Sequence, residues 1–225
     1  MKLVQNPKRY YWKRETVYDI KSWTRPNLTA NGTIGGSSFA CTAINAQTKY
    51  DAYYAFNNSN AVWQPINKTA FPQWIEWYNP NALKITQIVI EHGDYYHTGG
   101  INSSTIYQCY IQDWKLQASE DGNTWVDITS GTVSVSDIHL HRNLTITISN
   151  SNFYKYWRFD TLSIYGSGST TTYAYVKIDD IAITATQKAP RTIIVPGTES
   201  DYDYYTDSFE YKAIKEGNTY KGVNQ

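Results

Sequence analysis

Residues 114–125 read Trp-Lys-Leu-Gln-Ala-Ser-Glu-Asp-Gly-Asn-Thr-Trp. Trp114, Leu116 and Ala118 share one parity, Lys115, Gln117 and Ser119 the other, and a strand sends successive side chains to opposite faces. Asp121-Gly122 then supplies turn chemistry. The stretch predicts a half-buried strand entering a β-hairpin.

Outward from this hairpin, strand signals dominate residues 37–185, broken at short intervals by Gly, Asn, Ser and Pro clusters. No long stretch holds apolar residues at helical spacing, so the expected fold class is all-β. Leu83–Ile90 is a β-branched run predicted to be buried on both faces, whereas Leu144, Ile146 and Ile148 alternate with Thr145 and Thr147 as a one-sided strand does. Val176 and Ile178 share one parity and Ile181 and Ile183 the other, which predicts a bulge around Asp179-Asp180. Residues 208–217 fit either a short helix capped by Ser208 or a strand with Phe209, Tyr211 and Ala213 on one face.

Of the 225 residues, 16% are aromatic, with 21 Tyr and 8 Trp. Such side chains suit strands, and their apolar faces with polar handles also suit wet interfaces and sugar rings. Net charge is zero, which argues against a general nucleic-acid binder, but the ends differ. Residues 1–25 carry seven basic groups against two acidic (+5), and residues 199–216 six acidic against two basic (−4). They read either as solvated tails or as arms that dock onto neighbouring subunits of an oligomer. The sequence divides into a basic arm (1–36), a β domain (37–186) and a linker with an acidic, Tyr-rich tail (187–225).

The opening residues lack the apolar segment of a secretory signal, and no run of 18 apolar residues occurs, so neither export nor membrane insertion is predicted. Cys41 and Cys109 could bridge, but fit reduced, buried thiols in a cytosolic product. The Asn-X-Ser/Thr sites, such as Asn31 and Asn57, read as a by-product of an Asn- and Thr-rich surface.

Motifs that place a nucleophile, base or metal by spacing (His-Glu-x-x-His, Gly-x-Ser-x-Gly, a phosphate-cradling Gly loop, paired Cys-x-x-Cys) do not occur. Asp179-Asp180 and Glu120-Asp121 are adjacent carboxylates that a strand would point to opposite faces, so they cannot flank one glycosidic bond. The expectation is a protein that is not an enzyme. Asp137, His139 and His141 alternate and could offer a transition-metal face, or could be exposed polar residues.

Other motifs fall in a familiar order: Ser37-Ser38, Ala55-Phe56-Asn57-Asn58, Trp63, Trp74-Ile75, the Ser119–Trp125 hairpin and Trp157-Arg158-Phe159. Over about 150 of the 225 residues this resembles the discoidin domains of coagulation factors V and VIII and the family 32 carbohydrate-binding modules. The resemblance implies an antiparallel jelly-roll sandwich that binds through loops at one end. Here those loops would offer Tyr50, Tyr53, Tyr54, Trp63, His92, Tyr95, Tyr96 and His97 to a glycan. Relatives often hold a structural calcium between an Asp-Gly turn and an acid on the closing strand. In this chain Asn57-Asn58 replaces that turn, leaving Asn57 and Asp180 as a weakened candidate pair, and no cofactor is required.

Residues 21–29, Lys-Ser-Trp-Thr-Arg-Pro-Asn-Leu-Thr, are similar to segments of bacteriophage tail and fibre proteins. The combined expectation is a bacteriophage virion structural protein, made in the host cytoplasm, from a tail fibre, baseplate or head appendage. Its discoidin-like domain would recognise host glycan or other virion subunits. The alternative is a glycan-binding module of a bacterial secreted glycosidase or adhesin.

Overall fold

The structure is a computed structural model that describes residues 10–44, 50–59, 61–65, 70–92, 110–134, 143–165 and 176–197, with the strand backbones 204–206, 212–216 and 219–223. In chain order the strands are β1 (Tyr10–Trp23), β2 (Ala40–Ala43), β3 (Gln73–His92), β4 (Asp113–Ser119), β5 (Val126–Thr132), β6 (Asn143–Thr147), β7 (Tyr154–Thr161), β8 (Ile178–Pro196), β9 (Tyr204–Thr206), β10 (Lys212–Glu216) and β11 (Thr219–Val223). A 3₁₀ turn spans Ala52–Phe56. Every strand pairing defined between them is antiparallel.

Two compact units emerge: Ile20–Lys188, and Met1–Asp19 with Ala189–Gln225. The first therefore begins upstream of residue 37. Its organiser is β3, whose 20 residues serve two layers. Residues 73–78 pair with β7 and 75–78 with β2, whereas 83–92 pair with β8 and 87–91 with β6. The register shifts between Tyr78 and Leu83, around Asn79-Pro80-Asn81, where Pro80 has no N–H to give to a ladder. A strand that changes partners at such a shift passes from one sheet of a sandwich to the other. The larger layer continues from β3 through β7 and β4 to β5.

Apolar side chains from both layers fill one core. Ile75, Trp77, Leu116, Trp157 and Phe159 come from the larger layer, and Ile88, Ile90, Ile146 and Ile181 from the smaller. The all-β antiparallel sandwich expected from the sequence is the observed fold. The reading of Leu83–Ile90 needs correction: Leu83, Ile85, Ile88 and Ile90 are buried, but Lys84, Gln87 and Val89 are only half-buried and Thr86 is exposed. A register shift between Ile85 and Gln87 changes the parity mid-strand, so one buried face looks like two in the sequence. The bulge expected around Asp179-Asp180 falls at Asp179, between the pairs Glu91↔Asp180 and His92↔Ile178.

In the second unit β1 pairs with β9 (Tyr10↔Thr206, Tyr11↔Tyr205, Trp12↔Tyr204), and Arg191 lies 3.3 Å from Asp19. Backbone of the basic start and of the acidic end thus pairs within one molecule, while the ion pair joins an acidic residue of the start to a basic residue of β8. Lys212–Glu216 takes the strand alternative, in a hairpin with β11, and residues 207–211 lie outside the described set.

The β4–β5 hairpin is closed by its own polar side chains. Ser119 Oγ accepts from the N–H of Gly122 (2.9 Å) and Asp121 (3.3 Å) and donates to Asp121 Oδ1 (2.9 Å). Asp121 Oδ1 also accepts from the N–H of Asn123 and Thr124, both at 2.8 Å. Ser119 is consequently buried although its parity is that of the outward residues. Gly122 has φ +77°, and a Cβ there would sit 3.0 Å from the Tyr156 ring, so glycine answers both conformation and space.

Backbone donors, first that of Thr124 and then that of Asn123, hold the Asp121 carboxyl down to about 2. A depressed carboxyl stabilises the fold above its unfolded value, and this is lost as pH falls through the folded value. Asp121→Asn keeps the acceptor oxygen and removes the titration. Urea midpoints should therefore drop more steeply for wild type than for Asp121→Asn between about pH 4 and pH 2. Parallel curves would show that the ionised form adds nothing to the turn.

Candidate functional site

One end of the sandwich gathers several loop anchors around Ile178, the first residue of β8. Trp63 and Ile178 exchange backbone hydrogen bonds at 2.9 and 3.2 Å, and His92, the last residue of β3, pairs with Ile178. The His92 and Tyr110 rings lie 4.8 Å apart, and Tyr165 N–H donates to the Tyr110 carbonyl at 3.0 Å. The described flanks of segments 93–109 and 166–175 are therefore neighbours. Those segments lie outside the described residues, and with them Tyr95, Tyr96, His97 and Cys109.

Beside these anchors is the 3₁₀ turn. Ala52, Ala55 and Phe56 face the core, which leaves Tyr53 and Tyr54 half-buried at the surface. Their rings are 4.3 Å apart, tilted by 32°, and hydrogen bonding to Tyr54, followed by desolvation, raises the Tyr53 hydroxyl pKa. Asn31 sets the turn: its Oδ1 accepts from Tyr53 N–H (3.0 Å), while its carbonyl accepts from Cys41 N–H on β2 (2.8 Å). Gly32 permits the approach, because a Cβ at its φ of +76° would meet that of Ala40 at 2.9 Å. Gln64 N–H donates to the Tyr50 carbonyl at 3.2 Å, closing the segment. At that separation the two tyrosine rings stack on one another, and the ring face left outside the stack, with the hydroxyls at its edge, is the aromatic platform.

Trp63 does not belong to that platform. It is fully buried in the core, so its indole cannot take a sugar face, and the expectation that it stacks on ligand is corrected. His92 is likewise buried, at 4% exposure, and its ring packs on Tyr110, so it supports the loop flanks instead of lining a surface.

The calcium expectation is corrected as well. Asp180 Oδ1 accepts from Arg25 Nη2 at 2.9 Å, and the same guanidinium lies 5.8 Å from the Phe56 ring centroid, next to Asn57. Asn57 Oδ1 accepts from Ser59 N–H at 3.0 Å. A guanidinium on Asp180 repels a divalent cation, and two engaged oxygens fall far short of the six to eight that calcium takes. No cluster of three His, Cys, Asp or Glu able to hold a metal occurs among the described residues, and His139 and His141 lie outside them. Cys41 is a free, buried thiol whose pKa desolvation and then Asp51 push up to about 12, so it is not a ready nucleophile.

No protein-family profile matches the sequence, and no curated protein matches it. Solved structures do. The chain is similar to the paired family 32 carbohydrate-binding domains of Clostridium perfringens ZmpB, in complex with GalNAc (TM-score 0.51, 12% identity, 73% of this chain and 36% of that one). It is also similar to the family 32 module of C. perfringens NanJ, in complex with galactose (TM-score 0.50, 14% identity, 74% of this chain and 99% of that one). An F5/8 type C domain from Bacteroides fragilis aligns at TM-score 0.46 with 15% identity over 65% of this chain and 90% of that one. The chain carries the discoidin-like β-sandwich of the family 32 carbohydrate-binding modules.

Proposed function

We propose that this chain is a non-catalytic glycan-binding module whose ligand stacks on the Tyr53–Tyr54 platform at the loop-bearing end of the sandwich. The observation that carries it is the platform itself: the outer ring face of a stacked, part-exposed tyrosine pair, on a turn fixed by Asn31 beside the flanks of segments 93–109 and 166–175. A pyranose has an apolar face for such rings and hydroxyls for the polar groups around them. The same sandwich in C. perfringens ZmpB and NanJ was solved with GalNAc and galactose. These likenesses favour a bacterial glycan-binding module over a virion subunit, which rests on residues 21–29 and the charged ends.

Isothermal titration with galactose and N-acetylgalactosamine tests the proposal. Tyr54→Ala should weaken binding about tenfold or more, the worth of one stacked ring, with little change in Tm because the side chain is part-exposed. Heat-free titrations of the wild type, together with a blank glycan array, would remove the glycan reading.

A further inference from the structure

The outer face of the larger sheet should be the plain polar side of a sandwich, yet it holds a desolvated cluster. Register places Glu76, Arg158 and Gln117 side by side across β3, β7 and β4, and Trp74, Asp160 and Lys115 in the next row of that face. The Arg158 guanidinium is clamped between two indoles, 3.9 Å from the Trp125 ring centroid and 4.8 Å from that of Trp74, and donates to Glu76 Oε2 at 2.9 Å. Asp160 is only 4% exposed. Its Oδ2 has no hydrogen-bond partner, nor does Arg158 Nε.

A buried polar atom left unpaired forfeits its hydration with nothing in exchange, so native proteins supply such atoms with water or ligand. These two are complementary, one acceptor and one donor. They lie on one strand face two residues apart, about 6.6 Å at the rise of an extended chain. Trp74 and Trp125, both half-buried, flank them with apolar surface. The charges of Glu76, Asp160 and Asp127 nearly balance those of Arg158 and Lys115. Asp160 would repel phosphate or sulfate, and Arg158 and Lys115 would repel a metal ion. Burial, the leading influence on the Asp160 carboxyl, raises its pKa, as expected of an oxygen kept from water.

We infer that this face holds a second carbohydrate subsite, in which neighbouring hydroxyls of a neutral sugar bridge Asp160 Oδ2 and Arg158 Nε while the ring meets the edges of the Trp125 and Trp74 indoles beside the guanidinium. A hydroxyl both donates and accepts, so a diol satisfies the two orphans together. The inference takes its ligand class from the glycan-binding reading but places the contact away from the tyrosine platform.

The test uses the full chain labelled with ¹⁵N and titrated with galactose, N-acetylgalactosamine and glucose. Saturable shifts of the Arg158 Nε–H and Trp125 indole N–H resonances are expected, persisting in Tyr54→Ala. Asp160→Asn should weaken them at least about tenfold by removing a charged acceptor. Trp125→Ala, on the exposed hairpin, serves should Asp160→Asn fail to fold, and should also lose them. If resonances move only near Tyr53 and Tyr54, a water alone bridges the orphans: this inference falls and the glycan-binding reading stands. Shifts unchanged in Asp160→Asn also overturn it. If no resonance moves with any of the three sugars, both fall.

Discussion

Arg25→Ala is expected to lower the unfolding free energy by about 3 kcal/mol or more, the cost of leaving a buried charge without its partner. The Arg25 side chain is 10% exposed and that of Asp180 19%, so solvent screens the pair little. Desolvation is the leading influence on both, lowering the Arg25 pKa and raising that of Asp180 against their mutual attraction. Burial therefore outweighs the pairing, and the bridge is needed mainly because each charge is already inside. Removing both at once, Arg25→Met with Asp180→Leu, should then cost far less than Arg25→Ala alone.

The pH dependence carries the sign. Glu91 already repels the Asp180 carboxylate, so without Arg25 the folded state binds a proton there more tightly still. A carboxyl with a raised folded pKa is penalised as pH rises through its unfolded value, so the deficit of Arg25→Ala should narrow on acidification from pH 7 towards pH 4. EDTA should leave the Tm of the wild type unchanged, the guanidinium being the cation on Asp180. A deficit below 1 kcal/mol in Arg25→Ala, or a fall in Tm on chelation, would reject this account of the site.

What could be read from the sequence was local. The 114–125 hairpin declares itself because side-chain alternation and Asp-Gly turn chemistry lie within a dozen residues, and Ser119 and Asp121 close it with atoms two or three residues away. The sandwich followed from many such stretches in order. What escaped depends on partners brought together only by register. Arg25 and Asp180 are 155 residues apart in sequence, and Glu76 and Arg158 are 82 apart. The Trp74–Arg158–Trp125 clamp joins three segments, none of which alone marks a site. The misreading of Leu83–Ile90 has the same origin, since a one-residue shift set by β8 reverses which residues point inward.

Trp63 shows the limit most directly, because an isolated indole among Asn, Gln and Pro has no neighbouring alternation to say which way it faces. Trp63→Ala is expected to cost about 3–5 kcal/mol, as for other fully buried aromatic side chains, and the chain should lose its cooperative transition near ambient temperature if its reserve is ordinary. Any loss of glycan binding in that variant would report unfolding, so the informative change is Trp63→Phe. The backbone bonds to Ile178 survive it, and the indole Nε1, buried without a hydrogen-bond partner, is removed with its desolvation cost. Those gains offset part of the lost volume, so Trp63→Phe should retain most of the stability and bind galactose as the wild type does. An indole that stacked on sugar would behave in the opposite way, losing affinity about tenfold at nearly constant Tm, and that result would return Trp63 to the binding surface.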